Sequence, residues 1–263
     1  MAKIWQIVRK EWSEVFKNKM VMFAVIFMPL LFTAIPLGIM FSMGGSMDAE
    51  VVDMAGELEQ YGMMCEGLSA TACSQYFIIS QFLILFLMLP MIIPVTIAAY
   101  SIVGEKTTRT LEPVLATPVT TVELLTGKAL AGVLPALVAT WLSYGLFLTG
   151  TAILQASPEI LVKVAEPMWL LAIFVLGPLL SLAGVCLAIM VSSRVNDPRV
   201  AEQLSSLVII PLLAIFMGQS FGVFQVNMNV IGWMILGMAV LDGVLIYFAV
   251  QLFQRETILT RWK

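Results

Sequence analysis

Residues 20–47, 67–104, 129–158, 167–193 and 203–241 form five stretches without one charged side chain, and 243–254 follows them after a lone Asp242. A helix crosses about 30 Å of hydrocarbon in roughly 20 residues, so every stretch is long enough to span a bilayer. The last stretch and its continuation hold two crossings, which makes six. Charged residues are 12% of the 263-residue chain and hydrophobic ones 60%. A soluble domain carries about a quarter charged residues because its surface faces water, so most of this surface faces lipid. With 14 basic against 17 acidic residues the chain does not suit nucleic acid, and without histidine it has none of the imidazole-based metal or catalytic motifs. No catalytic residue and no metal site is expected.

The chain therefore reads as an all-α, polytopic membrane protein, a single domain over 1–263. Spans are expected at about 20–42, 77–101, 127–150, 168–192, 204–223 and 230–252. An even number places both termini on one side, and lysine and arginine say which. Thirteen of the 14 fall in the N-terminal segment, the second-to-third connection, the fourth-to-fifth connection and the C-terminus, leaving Lys163 alone on the other face. The positive-inside rule then puts both termini in the cytoplasm. The external loop, 43–76, is acidic, which suits either a solvated loop or attraction of cations. Cys65 and Cys73 lie on it, in the compartment where a disulfide can form, whereas Cys186 is a packing residue inside the fourth span.

Residues 1–19 are too charged for a signal peptide. On a helical wheel Ile4, Trp5, Val8, Trp12, Val15 and Phe16 share about a third of the circumference, with Lys3, Arg9, Lys10, Glu14 and Lys17 on the rest and only Ile7 misplaced. That predicts a basic amphipathic helix lying in the headgroup region and running into the first span.

The most informative segment is SIVGEKTTRTLEPVLATPVTTVELLTGKAL, residues 101–130. Pro113 and Pro118 break it, and Thr120 with Glu123 forms a capping-box pattern that starts a helix at about Thr121, continuing through Lys128 into the third span. Glu105-Lys106, Thr110-Leu111-Glu112, Leu115, Thr117-Pro118, Glu123 and Gly127-Lys128 resemble the cytoplasmic signature of ABC type-2 permeases, the membrane subunits of ATP-driven exporters. The basic N-terminus ending in Lys-Asn-Lys, the six spans and the short link between the last two are also similar to that family, closest to its sodium-efflux and multidrug-type branch. Arg109 stands where many members carry glycine.

The resemblance implies a separate ATP-binding subunit that holds ATP and magnesium, a second permease chain, and a coupling helix within 102–126 that inserts into the ATPase. No cofactor is expected here, since Gly127-Lys128 lacks the rest of a phosphate-binding loop. At that joint Glu105, Lys106, Arg109, Thr110 and Glu112 are the assigned polar contacts and Leu111 and Leu115 the apolar anchors. Arg194 and Arg199, on the second cytoplasmic connection, fit docking or topology anchoring equally.

Asp242 lies midway along the sixth span, where an ionisable group costs on the order of 3 kcal/mol on insertion scales and must face the bundle interior or water. It suits proton or cation handling, or an aspartate satisfied by Gln219, Ser220 or Tyr247. Residues 217–229 read either as a re-entrant gate, allowed only where buried or lining a cavity, or as a tight turn. The function expected is that of a cell-membrane exporter permease. The rival is a stand-alone carrier of sodium or protons built on Asp242.

Overall fold

The structure, a computed structural model, describes residues 2–43, 70–108, 120–154 and 158–252. No strand occurs among them, and six helical runs are long and apolar enough to cross a membrane. The amphipathic helix α1 (Ala2–Val15) precedes α2 (Lys19–Met43), which carries the first span. The second span is built from α3 (Ala70–Phe86) and α4 (Leu89–Thr107), the third from α5 (Thr121–Ile153). The fourth runs through α6 (Pro158–Val164), α7 (Pro167–Leu171), a π-helical turn (Ala172–Leu176) and α8 (Gly177–Ser192). The fifth joins α9 (Pro198–Ser205), a 3-10 turn (Ser206–Ile209) and α10 (Ile210–Ser220), and the sixth is α11 (Met228–Leu252).

Prolines explain the interruptions. A proline cannot donate to the carbonyl four residues back, and its ring crowds that carbonyl. Pro90 follows the break at Leu87–Met88, Pro178 follows the π turn, and Pro211 follows the 3-10 turn, each irregularity relieving the clash.

The second span is the hub, buried almost all along α4, while the first, fifth and sixth present apolar side chains such as Phe23, Leu30, Ile210 and Trp233 outward. Two glycines let neighbouring spans close on it. A Cβ at Gly184 would stand 3.0 Å from the Met91 carbonyl oxygen, and one at Gly132 would stand 3.4 Å from the ring and carbonyl of Pro94 and 3.1 Å from Val185. Small residues allow this closeness, and dispersion contacts then hold helices together where lipid competes equally for apolar surface.

The second span extends further than the charge pattern suggested, while the third begins where the capping-box pattern places it. α4 continues to Thr107 and α5 starts at Thr121, so residues 102–107 and 121–126 of the expected coupling segment lie in the helices flanking it. The physical reason is that Glu105 and Lys128, taken as marks of a water boundary, are buried and paired within the protein. The 217–229 connection is a tight turn. Gly222 takes φ 67°, the left-handed region that glycine tolerates best, and the Asn227 carboxamide oxygen accepts from the Val230 amide at 3.0 Å to start α11.

Candidate functional site

The strongest polar arrangement in the described residues sits where α1 meets the end of α4 and the start of α5. α5 begins where Thr120 and Glu123 place it: the Thr120 hydroxyl accepts from the Glu123 amide at 3.2 Å, and the Glu123 carboxylate accepts from the Thr120 amide at 2.9 Å. Two turns on, Lys128 is 3% exposed between Glu11 of α1, 2% exposed, and Glu105 of α4, 5% exposed. Its ammonium lies 2.7 Å from a carboxylate oxygen of each and donates to the Ser101 hydroxyl at 2.9 Å. Ser101 in turn donates to the second oxygen of Glu11. Lys10 closes the cluster from its rim, paired with Glu105 and lying 3.1 Å from Glu14.

Three carboxylates and two ammonium groups thus share one site. Burial would raise the Glu11 carboxyl, yet the charge and hydrogen bond of Lys128, the Ser101 hydroxyl and Lys10 hold it below its ordinary value. Burial would likewise lower Lys10, but its hydrogen bond to Glu105 and the charges of Glu105 and Glu11 hold it above its usual range. Both groups are charged at neutral pH. An open cleft of about 240 Å³, lined by Glu14, Asn18, Tyr100, Ser101, Gly104 and Thr108 among others, lies beside them.

α1 is fastened at two further points. The Trp12 indole donates to the Ala131 carbonyl at 2.9 Å. At Gly127 a Cβ would come within 2.7 Å of Ile7, so glycine is what lets α1 lie directly on α5. Val8, Glu11 and Val15 face protein, while Trp5 and the polar face with Lys3, Gln6, Arg9, Ser13, Glu14 and Lys17 are open. The seemingly misplaced Ile7 is half-buried and lies on the docked face, against Gly127.

Of the residues assigned to the ATPase joint, Glu105 and Lys106 are described and both are engaged within this chain. Glu105 is in the cluster, and Lys106 donates to the carbonyls of Ser193 and Val195 at 3.2 and 3.3 Å, tying the second span to the fourth-to-fifth connection. Arg109, Thr110, Leu111, Glu112 and Leu115 lie outside the described residues.

Asp242 does not meet its expected partners. It is 3% exposed, faces the fourth span beside Cys186, and among the described residues neither carboxylate oxygen has a hydrogen-bonding partner. Met238 and Leu245 on the same stripe pack with Ala183 and Cys186, so its surroundings are apolar. Gln219 donates to Ser80 at 3.1 Å and accepts from the Val226 amide, Ser220 donates to Gln81 at 3.1 Å, and Tyr247 accepts from Gln251. Ser80 and Gln81, two polar residues in an apolar span, were the sequence signal for that second cluster. Cys73 is disulfide-bonded, Cys186 is free and buried, and Cys65 lies outside the described residues.

The sequence pattern of the family described as "ABC-2 family transporter protein" matches residues 5–253, nearly the whole chain. The chain belongs to the ABC-2 transporter family. It is thus a multi-pass permease subunit of an ABC transporter, of a family that normally works with an ATP-binding subunit. No curated protein matches it significantly. Glu105 and Lys128 stand on either side of residues 109–119, near the two ends of the 101–130 stretch.

Proposed function

We propose that this permease exports its cargo from the cytoplasm by alternating access, driven by ATP hydrolysis on a separate subunit docked against 109–119. One observation carries the reading: both ends of that segment are anchored in helices cross-braced by buried ion pairs, a stiff mount of the kind needed where force enters the membrane. The chain has no phosphate-binding loop of its own, so ATP and magnesium belong to the partner. A second permease completes the path, and the apolar outer faces of the first, fifth and sixth spans are available to it and to lipid. Both termini face the cytoplasm of a cell membrane, with the basic segments on that side.

Co-expression with an ATP-binding subunit tests this. The wild-type chain should co-purify with it and alter its ATPase rate, while Arg109→Glu or Glu112→Lys should break co-purification or that effect. Normal assembly and coupled ATPase in both variants would remove the docking assignment. The isolated carboxylate of Asp242 favours a second reading, a carrier using a proton or sodium. Transport by the purified permease alone, without ATP, would decide for it.

A further inference from the structure

We propose that the outer corner between α1 and α2 binds one anionic phospholipid, with its phosphate on Lys17 and Lys19 and an acyl chain laid along α2. The proposal needs only that the chain spans a membrane, and it stands whether or not ATP drives transport.

The chain bends between α1, which ends at Val15, and α2, which begins at Lys19. The bend leaves a groove of about 480 Å³, separate from the cleft beside Lys10. Two rows of side chains form it. Lys19, Phe23 and Phe27 recur at every fourth residue of α2, and Met22, Ile26 and Leu30 do the same beside them, so the groove runs between two ridges of the helix surface. The Phe23 and Phe27 rings stack with centroids 4.4 Å apart, which gives one ridge a flat apolar wall. Phe16 and Lys17 join the lining from the bend.

Charge at one end only sets this groove apart from ordinary lipid-facing surface. Lys17 and Lys19 line it, no acidic side chain does, and among the described residues neither lysine is in an ion pair. The cleft beside Lys10 is lined by Glu14 and Glu105 instead, so the bend offers an anion one seat and not the other. Length fits as well. From Lys19 to Leu30 the helix rises about 16 Å at 1.5 Å per residue, about half of the roughly 30 Å hydrocarbon core. A phospholipid whose phosphate meets the two lysines therefore lays one chain along the groove to the depth of its own leaflet. A soluble anion would leave the apolar length uncovered, and a second copy of the chain would have to bury two ammonium groups. Basic side chains at the membrane surface attract anionic headgroups, and here the groove adds a seat for the chain.

Native mass spectrometry of the full chain in detergent, titrated with phosphatidylglycerol or phosphatidylcholine, tests this. The first phosphatidylglycerol should bind at least tenfold more tightly than phosphatidylcholine. Lys17→Gln/Lys19→Gln should weaken it about twenty-five-fold, at about fivefold for each lysine near an anionic headgroup. Ile26→Trp keeps both lysines but fills the groove, and should weaken phosphatidylglycerol at least fivefold. Lys3→Gln/Arg9→Gln removes the same charge from the exposed face of α1 and should leave binding within twofold. Equal affinity for the two lipids, or equal loss in the two double variants, would overturn the proposal in favour of diffuse attraction. An effect of the lysines with none from Ile26→Trp would overturn it too, reducing the site to surface charge. A dimer that Ile26→Trp dissociates, in a chain with no preference for phosphatidylglycerol, would give the groove to a second copy instead.

Discussion

The indole nitrogen of Trp12 lies 2.9 Å from the carbonyl oxygen of Ala131, the carbonyl that Pro135, four residues further on, cannot serve with an N–H. The proline creates an unmet acceptor inside a membrane-spanning helix, where an orphaned carbonyl is costly, and the interfacial helix supplies the donor. Sequence, helix geometry and docking of α1 are one chain of causes here.

Trp12→Phe should therefore destabilise the protein by about 1–3 kcal/mol, the penalty of an unsatisfied buried polar group. Pro135→Ala restores a backbone donor to the same carbonyl, so the double variant should lose less than the two single changes added together. Thermal unfolding of all four proteins in detergent gives the coupling, and strict additivity would dissociate Trp12 from the proline.

Gly127→Ala removes glycine from a helix interior, which by propensity alone favours the helix by about 1 kcal/mol. The new Cβ meets the branched Cβ and Cγ2 of Ile7, which cannot swing aside, so the net effect should be a loss of about 1–3 kcal/mol, as for overpacking elsewhere. Ile7→Ala in the same chain should recover most of it. Unfolding midpoints of the single and double variants measure this, and a stabilised Gly127→Ala would mean that α1 does not lie on Gly127.

Lys128→Met alone leaves two buried carboxylates facing each other with only Lys10, at the rim, as counter-charge, and removing one partner of a buried ion pair costs about 3–5 kcal/mol. Lys128→Arg keeps the charge and should cost far less. Denaturation in detergent ranks the two. Equal midpoints would mean that water already reaches the cluster.

Acid should release α1 before it unfolds the bundle. Glu11 is held below its ordinary 4.5, so its contribution is present above that value and is lost as pH falls through the lower folded-state value. Lys10, raised in the fold, contributes below 10.5 and loses that contribution only as pH climbs through its higher folded-state value. Tryptophan emission followed downward in pH should stay constant through neutrality and change only below 4.5, and Glu11→Gln should abolish that step. A step near pH 6 to 7 would contradict the pairing.

The spans were legible because burial in lipid is written into composition: an uncharged run of 20 residues has few other homes. The start of α5 was legible because Thr120 and Glu123 are three residues apart and act on each other's backbone. The ion cluster was not, since Lys128 and Glu11 are 117 positions apart and only tertiary packing joins them. On the wheel Glu11 borders the apolar sector next to Ile7, and these two residues mark the face that docks. The grouping of Asp242 with Gln219 and Ser220 failed for a related reason. The turn at 221–227 sets the phase of α11, turning Asp242 toward the fourth span while Gln219 and Ser220 face the second.

Asp242 gives a last test with opposite outcomes for its two readings. A carboxyl buried among Met238, Leu245 and Cys186 with neither oxygen bonded should weaken the fold, so Asp242→Leu should stabilise it by about 1–3 kcal/mol, whereas Asp242→Asn keeps an unmet polar group and should gain little. A destabilised leucine variant would instead reveal a partner for the carboxyl within the folded chain. Function is read separately, as transport by the assembled complex over a range of pH and sodium concentration. Retention by the leucine variant would end any ion-handling role, while loss of transport from a protein made more stable would mark Asp242 as a group kept for the cargo or its coupling ion.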